Sequence, residues 1–183
     1  MTSELTLSES VFLRPLRASD AGALARAYRE NREHLAPWEP ERSAEFFSDI
    51  AQLRQIEGVL TEADSGSASP FVLAEGPRIV GRVNVTGIVR GAFQSGNLGY
   101  WIDSRFSGRG LMTAALQAVI VLARDELRLH RLQAATLVHN AGSQAVLRRC
   151  RFSEIGTASE YLQIAGRWQD HRLYQRIIAS RSP

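Results

Sequence analysis

The stretch Leu98-Gly-Tyr-Trp-Ile-Asp-Ser-Arg-Phe-Ser-Gly-Arg-Gly-Leu-Met112 concentrates residues that can do chemistry. An extended apolar run enters a turn holding Arg105, Gly108, Arg109 and Gly110, and the turn opens a strongly apolar helix. The first N–H groups of a helix have no internal partner and lie at the positive end of its dipole. Gly108 and Gly110 can take φ > 0 and let the main chain approach a ligand, while Arg105 and Arg109 bring forked donors suited to phosphate. Arg105-x-x-Gly108-x-Gly110 thus reads as an anion cradle made of main-chain donors. It differs from the dinucleotide pattern G-x-G-x-x-G, because position 113 is Thr. Taken alone, the pattern equally fits a tight turn before a helix start.

Composition narrows the chemistry. All 22 basic residues are Arg, against 19 acidic ones, for a net charge of +3. Without Lys there is no Walker-type phosphate loop, no Schiff base and no Ser–Lys dyad. Compositional bias accounts for this usage more simply than function does, and for much of the isoelectric point near 9.6. The arginines run from Arg14 to Arg181 without a dense block, so no dedicated nucleic-acid site is expected. The single Cys150 precludes an intrachain disulfide, a C-x-x-C pair and a multi-cysteine zinc site. His34, His130, His139 and His171 form no H-E-x-x-H pair, so no metal is expected. The opening Met1-Thr-Ser-Glu lacks the regions of a secretory signal, and the apolar run 111–123 is too short to cross a bilayer. These features point to a cytoplasmic protein without membrane contact.

The elements that must position the turn follow from pattern. With 183 residues, 44% hydrophobic and 22% charged, the chain has the size of one domain, 1–183, with a real core. Alternation over 11–17 predicts a strand, edge-like because of Pro15. Ser19 or Asp20 can cap a helix reaching about 34, with Leu24, Ala27 and Tyr28 on its apolar stripe. Pro37 and Pro40 end it, and a second helix is predicted over about 43–62, with Phe46, Phe47, Ile50, Leu53 and Ile56 on one side. Strands follow at about 71–75, 79–89 and 97–102, then a helix over 110–127, a strand over 131–139 and a short helix over 141–149. Closing strands fall at 152–155, 161–164 and 168–178, which makes an α+β, mixed α/β domain.

Arg105-x-x-Gly108-x-Gly110, set between a strand and an apolar helix, resembles the acetyl-coenzyme-A pyrophosphate loop of the GNAT N-acetyltransferase superfamily. Several further segments resemble the ribosomal-protein alanine N-acetyltransferases of RimJ/RimL type. They are Asn31-Arg-Glu-His-Leu-Ala-Pro-Trp-Glu-Pro40, Val89-Arg-Gly-Ala-Phe93, Gly108-Arg-Gly-Leu-Met112, His130-Arg131, His139-Asn140 and Tyr161-Leu-Gln-Ile-Ala-Gly-Arg-Trp-Gln-Asp-His171. The similarity spans about residues 11–176. It implies the GNAT fold: a twisted mixed sheet of about six to seven strands, helices on both faces, and splayed central strands. It also implies transfer of acetyl from acetyl-CoA, without a metal, to the N-terminal amine of a protein, with a ribosomal protein favoured. The amine attacks directly and no acetyl-enzyme forms. An α-amino group has a pKa of about 7.7–8.0 against about 10.4 for Lys, a gap of roughly 3–3.5 kcal/mol, so an N-terminus needs only a modest base.

The resemblance also implies roles, each with a structural alternative. Tyr100, Trp101, Ile102, Arg105, Phe106, Ser107, Gly108, Arg109, Gly110, Leu111 and Met112 would border the cofactor; core packing is the alternative for Tyr100 and Trp101, and a simple bulge for Gly99 beside them. Asn140 would bond the pantetheine arm and Ser143 would lie near the sulfur, with helix capping as the alternative. Glu160 would act as the base, or else be a solvated strand residue. Trp38, Glu39, Glu41 and Tyr161 would shape the acceptor side, where a carboxylate could hold the incoming ammonium; a Pro-bracketed loop anchored by Trp38 is the alternative for the 38–41 segment. A packed strand residue is the favoured reading of His139, and a small buried hydrophobe that of Cys150. Two departures stand out. Arg148 occupies the place where many relatives carry a Tyr as general acid, and Arg151 precedes Phe152 where relatives usually carry Gly. Two other functions stay open: acetylation of a small-molecule amine, such as an antibiotic, polyamine or amino acid, and a non-catalytic ribosome- or RNA-binding module. A homodimer is compatible with the sequence.

Overall fold

The computed structural model describes residues 4–179 of the 183. Residues 1–3, on which the absence of a secretory signal was read, lie outside the described residues, as does Arg181. One sheet is built from β1 (Leu5–Thr6), β2 (Phe12–Pro15), β3 (Ser69–Glu75), β4 (Arg78–Val89), β5 (Ser95–Ile102), β6 (Arg131–Leu137), β7 (Ser153–Ile164) and β8 (Arg167–Ile177). The order across it is β1-β2-β3-β4-β5-β6-β8-β7, eight strands where six to seven are expected, the two-residue β1 extending one edge. The helices are α1 (Ala21–Glu30), α2 (Arg32–Leu35), α3 (Asp49–Asp64), α4 (Leu111–Asp125) and α5 (Ala141–Arg149).

The two-residue period of the strands divides the core into two layers. Phe71 and Leu73 of β3, with Leu98, Tyr100 and Ile102 of β5, face α4 and α5. Val72 and Trp101, pointing the other way, pack with Leu24, Tyr28 and Ile56 of α1 and α3. The apolar run of α4 buries Leu111, Met112, Ala115, Leu116, Val119, Ile120 and Ala123. Full burial of each larger side chain contributes about 1.5–3 kcal/mol, which is why this helix lies flat on the sheet.

Among the described residues only β5 and β6 pair in parallel, and their pairing is short: Ser95↔Arg131, Gly96↔Leu132 and Asn97↔Gln133. Beyond this, β5 continues along β4 as far as Gly81↔Ile102, while β6 continues along β8 as far as Leu137↔His171. The two strands therefore diverge into a wedge at the centre of the sheet. Gly96 sits at its closed end, where a Cβ would lie 2.8 Å from Val85 Cγ1.

Several elements differ from expectation, each for a local reason. The first helix breaks at Asn31 (φ −105°, ψ 14°), whose side chain is drawn away into a polar network. Asp20 stands at the N-cap of α1 but its side chain makes no capping bond; its carboxylate binds the Arg14 guanidinium at 2.7 and 2.8 Å and accepts from the Arg17 N–H. Phe46 and Phe47 lie in a separate 3-10 turn (Ala44–Phe47), because Ser48 Oγ accepts from Ala51 N and starts α3 there. That register leaves Ile50 66% exposed and buries Ile56. The strand expected over 131–139 stops at Leu137, which frees His139. The closing strands at 152–155 and 161–164 are one strand, β7, interrupted by irregular register after Glu154 and after Ala158. It turns into β8 through Ala165 (φ 49°) and Gly166 (φ 74°), the left-handed pair of a tight hairpin.

Helix α5 ends in a Schellman motif: Phe152 N–H donates to Leu147 O and Arg151 N–H to Arg148 O. Arg151 stands at the left-handed position with φ 58°, where glycine is at home and arginine is strained.

Candidate active site

The wedge opens into a cavity of about 520 Å³. Its floor is β5 around Tyr100–Ile102, its sides are the turn 106–110 with the first turn of α4 and the segment 139–143, and Trp38 and His34 stand at its mouth. Each wall is an element end. This follows from topology, since ligands in sheets with a parallel pair meet the carboxyl ends of the strands.

The turn combines two left-handed glycines with an uncapped helix start. After a 3-10 turn (Ser104–Phe106), Gly108 and Gly110 adopt φ 75° and 78°. Gly110 is the N-cap of α4 and no side chain caps this end. The helix ladder begins with Ala114 N–H to Gly110 O at 3.0 Å, so the N–H groups of Leu111, Met112 and Thr113 have no partner within the helix. All three residues border the cavity. An added Cβ at Gly108 or Gly110 would meet nothing within 4 Å, so the space before the helix is free for a ligand.

Arg105 serves the turn rather than the cradle. Its guanidinium does not point at the cradle but grips Asp103 (Nε to Oδ1 3.0 Å, Nη2 to Oδ2 2.6 Å) and Glu30 (2.5 Å), and its N–H also goes to Asp103 Oδ1 at 2.8 Å. Asp103 is 1% exposed. It accepts in addition from Asn31 Nδ2 at 3.1 Å, while Asn31 Oδ1 accepts from Ser104 N. The Arg105 hydrogen bonds, joined by those of Asn31 and the main chain, outweigh burial and hold the Asp103 carboxyl at about 2, below its usual 3.8. Arg105 therefore tethers the turn to the end of α1. Arg109 lies over the Phe106 ring at 5.0 Å, beside the cradle.

Tyr100 and Trp101 point to opposite faces. Trp101 has the core-packing alternative: its Nε1–H donates to Tyr28 OH at 3.1 Å on the α1/α3 side, so only its main chain can face the cavity. The Tyr100 side chain turns toward α5, where its hydroxyl lies 2.7 Å from Ser143 Oγ and 3.2 Å from Ser143 O. Asn140 does cap α5, its Oδ1 accepting from Ser143 N at 3.0 Å, and its Nδ2 remains to donate to an incoming amide. Arg148 is exposed on α5 and supplies no hydroxyl. Cys150 is buried, with Sγ 3.6 Å from Thr113 O, and burial pushes its thiol up.

On the acceptor side Trp38 stacks at 5.6 Å on His139. His139 is exposed and lines the cavity, contrary to its reading as a packed strand residue, because β6 ends two residues before it. His34, one turn before Trp38, joins them. Both histidines were missed as wall residues; the signal lay in Pro37, which ends the helix and folds Trp38 back. A second cavity of about 320 Å³ lies behind, lined by Tyr28, Glu39, Glu41, Arg42 and Ala165, and shares Leu35 with the first. Burial raises the Glu39 carboxyl, against the opposing effect of Arg42 at 3.7 Å and of Arg82. Glu39 O accepts from Ala165 N at 3.0 Å, which ties this segment to the β7–β8 turn.

Glu160 and Tyr161 border neither cavity. Glu160 sits on the irregular stretch of β7 with φ 46°, exposed, its N–H donating to Asp170 Oδ1 at 2.9 Å. Tyr161 leans on His171 at 5.6 Å. Among the described residues no three His, Cys, Asp or Glu side chains gather to hold a metal ion, and no helix is long and apolar enough to cross a membrane.

Residues 10–153 match the family model described as the acetyltransferase (GNAT) domain. The chain is 34% identical over 168 residues to the [ribosomal protein uS5]-alanine N-acetyltransferase of Escherichia coli, covering 91% of this chain and 87% of that protein. Among solved structures it is similar to the ribosomal-protein-S5-alanine acetyltransferase from Vibrio fischeri, with a TM-score of 0.93, 33% identity and complete coverage of both chains. It is also similar to Mycobacterium smegmatis RimJ in complex with CoA-disulfide, with a TM-score of 0.87, 33% identity, and 91% of this chain and 81% of that one covered. A sheet split between β5 and β6 over an uncapped helix start, together with this similarity along nearly the whole chain, shows that the protein belongs to the GNAT acetyltransferase family and is an acyltransferase.

Proposed function

We propose that this protein, acting as one domain in the cytoplasm, transfers acetyl from acetyl-CoA to the N-terminal amine of a ribosomal protein by direct attack of the amine. The observation that carries the reading is the uncapped start of α4, with Gly108 and Gly110 in left-handed conformation, opening onto the wedge between β5 and β6. Three free N–H groups at a helix start suit a diphosphate. The arm then follows the wedge, where Asn140 Nδ2 and the unpaired edge of β5 offer donors and acceptors along its amides. The relatives named as acetyltransferases of an alanine of ribosomal protein S5 support a ribosomal-protein acceptor.

On the acceptor side Trp38 and His139 form a wall for the incoming residue, and Glu39, in the adjoining cavity, holds its ammonium. An α-amino group is already partly neutral near pH 7.5, so the base has little to remove. Glu160, outside both cavities, takes that proton through solvent. Incubation of the purified protein with acetyl-CoA and three acceptor sets tests the proposal. Peptides with free ribosomal-protein N-termini are expected to be acetylated, and the same peptides with blocked N-termini are not. Turnover of polyamines, aminoglycosides or free amino acids without any peptide acetylation would defeat it.

A further inference from the structure

The transfer ends with a sulfur leaving as an anion, and Arg148 offers it no hydroxyl. The structure supplies one from another element. Past Asn97↔Gln133 the strands β5 and β6 are no longer paired, and Tyr100 of β5 reaches across to Ser143 on the helix that follows β6. The contact of 2.7 Å between Tyr100 OH and Ser143 Oγ joins the two sides of the split by side chains, inside the cavity that both residues line. Tyr100 is enclosed by its neighbours, among them Cys150 and the buried Tyr174, and burial drives its ionisation far above the ordinary value of 10, so it is a phenol at every working pH.

We propose that Tyr100 is a positioning residue for acetyl transfer: its phenol donates to Ser143 Oγ and thereby turns the Ser143 O–H toward the sulfur leaving the thioester. The inference rests on acetyl-CoA being the donor. In the step, the amine nitrogen forms a bond to the carbonyl carbon and the C–S bond breaks, its electron pair going to sulfur. Sulfur receives the hydrogen bond from Ser143, Ser143 Oγ receives that from Tyr100, and the proton of the amine leaves through solvent. A thiol has a pKa of about 8.5, below the ordinary tyrosine value of about 10, so a proton moving from Tyr100 to the thiolate would run uphill. Both hydroxyls keep their protons, and the thiolate takes its own from water. A hydrogen bond to a charged group is stronger than a neutral one, so the pair favours the separating charge over the bound thioester.

The test uses the full chain with Tyr100→Phe, Ser143→Ala and the double variant, assayed for kcat and KM with the best peptide acceptor, and for coenzyme A affinity by calorimetry. Phenylalanine keeps the ring that packs on α5, and thermal melting of each variant reports the fold. Tyr100→Phe is expected to lower kcat about 10- to 100-fold with KM for acetyl-CoA and coenzyme A affinity changed less than about threefold. The double variant is expected to be no slower than Ser143→Ala, because the phenol acts only through the serine. A Tyr100→Phe enzyme within about threefold of the native kcat, a loss that adds to that of Ser143→Ala, or a loss matched by an equal loss of coenzyme A affinity would each overturn the proposal. A native enzyme that transfers acetyl to no amine at all refutes the acetyl-CoA reading instead, which keeps the two failures apart.

Discussion

Asp103→Asn removes the acceptor that anchors the turn before α4. Native Asp103 is 1% exposed and receives hydrogen bonds from the Arg105 side chain, the Arg105 N–H and Asn31. The depression of its carboxyl from 3.8 to about 2 corresponds to about 2.4 kcal/mol of preference for the charged form in the folded protein. Arg105 is 49% exposed, so solvent screens the pair and about 1.5–2 kcal/mol is the expected effect. The sign follows from linkage. A carboxyl whose folded pKa is depressed stabilises the fold above its unfolded pKa, near 4, and that stability disappears as pH falls through about 2. At pH 3 about half of it remains. Urea unfolding followed by tryptophan fluorescence, run on both proteins at pH 7, 5, 4 and 3, reads this directly. Carboxylates common to both proteins cancel in the difference, so the gap is expected to be flat from pH 7 to 5 and to shrink by about half at pH 3. A gap that stays constant down to pH 3, or a variant as stable as the native protein at pH 7, would refute the anchoring role of Asp103.

The other expectations rest on single positions. Arg151→Gly relieves the left-handed strain at the end of α5 (φ 58°) and is expected to stabilise the fold by about 0.5–1 kcal/mol, seen as a rise of a few degrees in thermal melting. A neutral or lower melting point would mean that the Arg151 side chain compensates the strain. Gly108→Val places a branched side chain at φ 75° in the open space before α4 and is expected to weaken coenzyme A binding at least about tenfold by calorimetry, with a lower melting point as well from the left-handed strain. Unchanged affinity would move the diphosphate elsewhere. Glu160→Gln is expected to lower kcat and shift the pH–rate profile toward alkaline pH with coenzyme A affinity intact; an unshifted profile removes Glu160 as the base.

Local chemistry made the turn at 105–110 legible from sequence. Two glycines ahead of an apolar helix state a backbone geometry, and that geometry sets where the free N–H groups are. The apolar stripes of α4 and of the paired strands were legible for the same reason, since burial follows periods of 3.6 and 2 along the chain. Asn140 and Ser143 were placed correctly at a helix start because capping is a matter of three residues. What only the tertiary structure decided depends on partners far away in sequence. Arg105 looked like a phosphate ligand until Asp103 and Glu30 claimed it, and Glu30 lies 75 residues away. His139 turned from core to wall because β6 stops pairing at Leu137, and Glu160 fell outside the cavities through irregular register against β8. The contact of Tyr100 with Ser143, 43 residues apart, exists because two parallel strands separate after three pairs. A side chain with several possible partners is committed by whichever one the fold brings within about 3 Å, and no spacing along the chain encodes that distance.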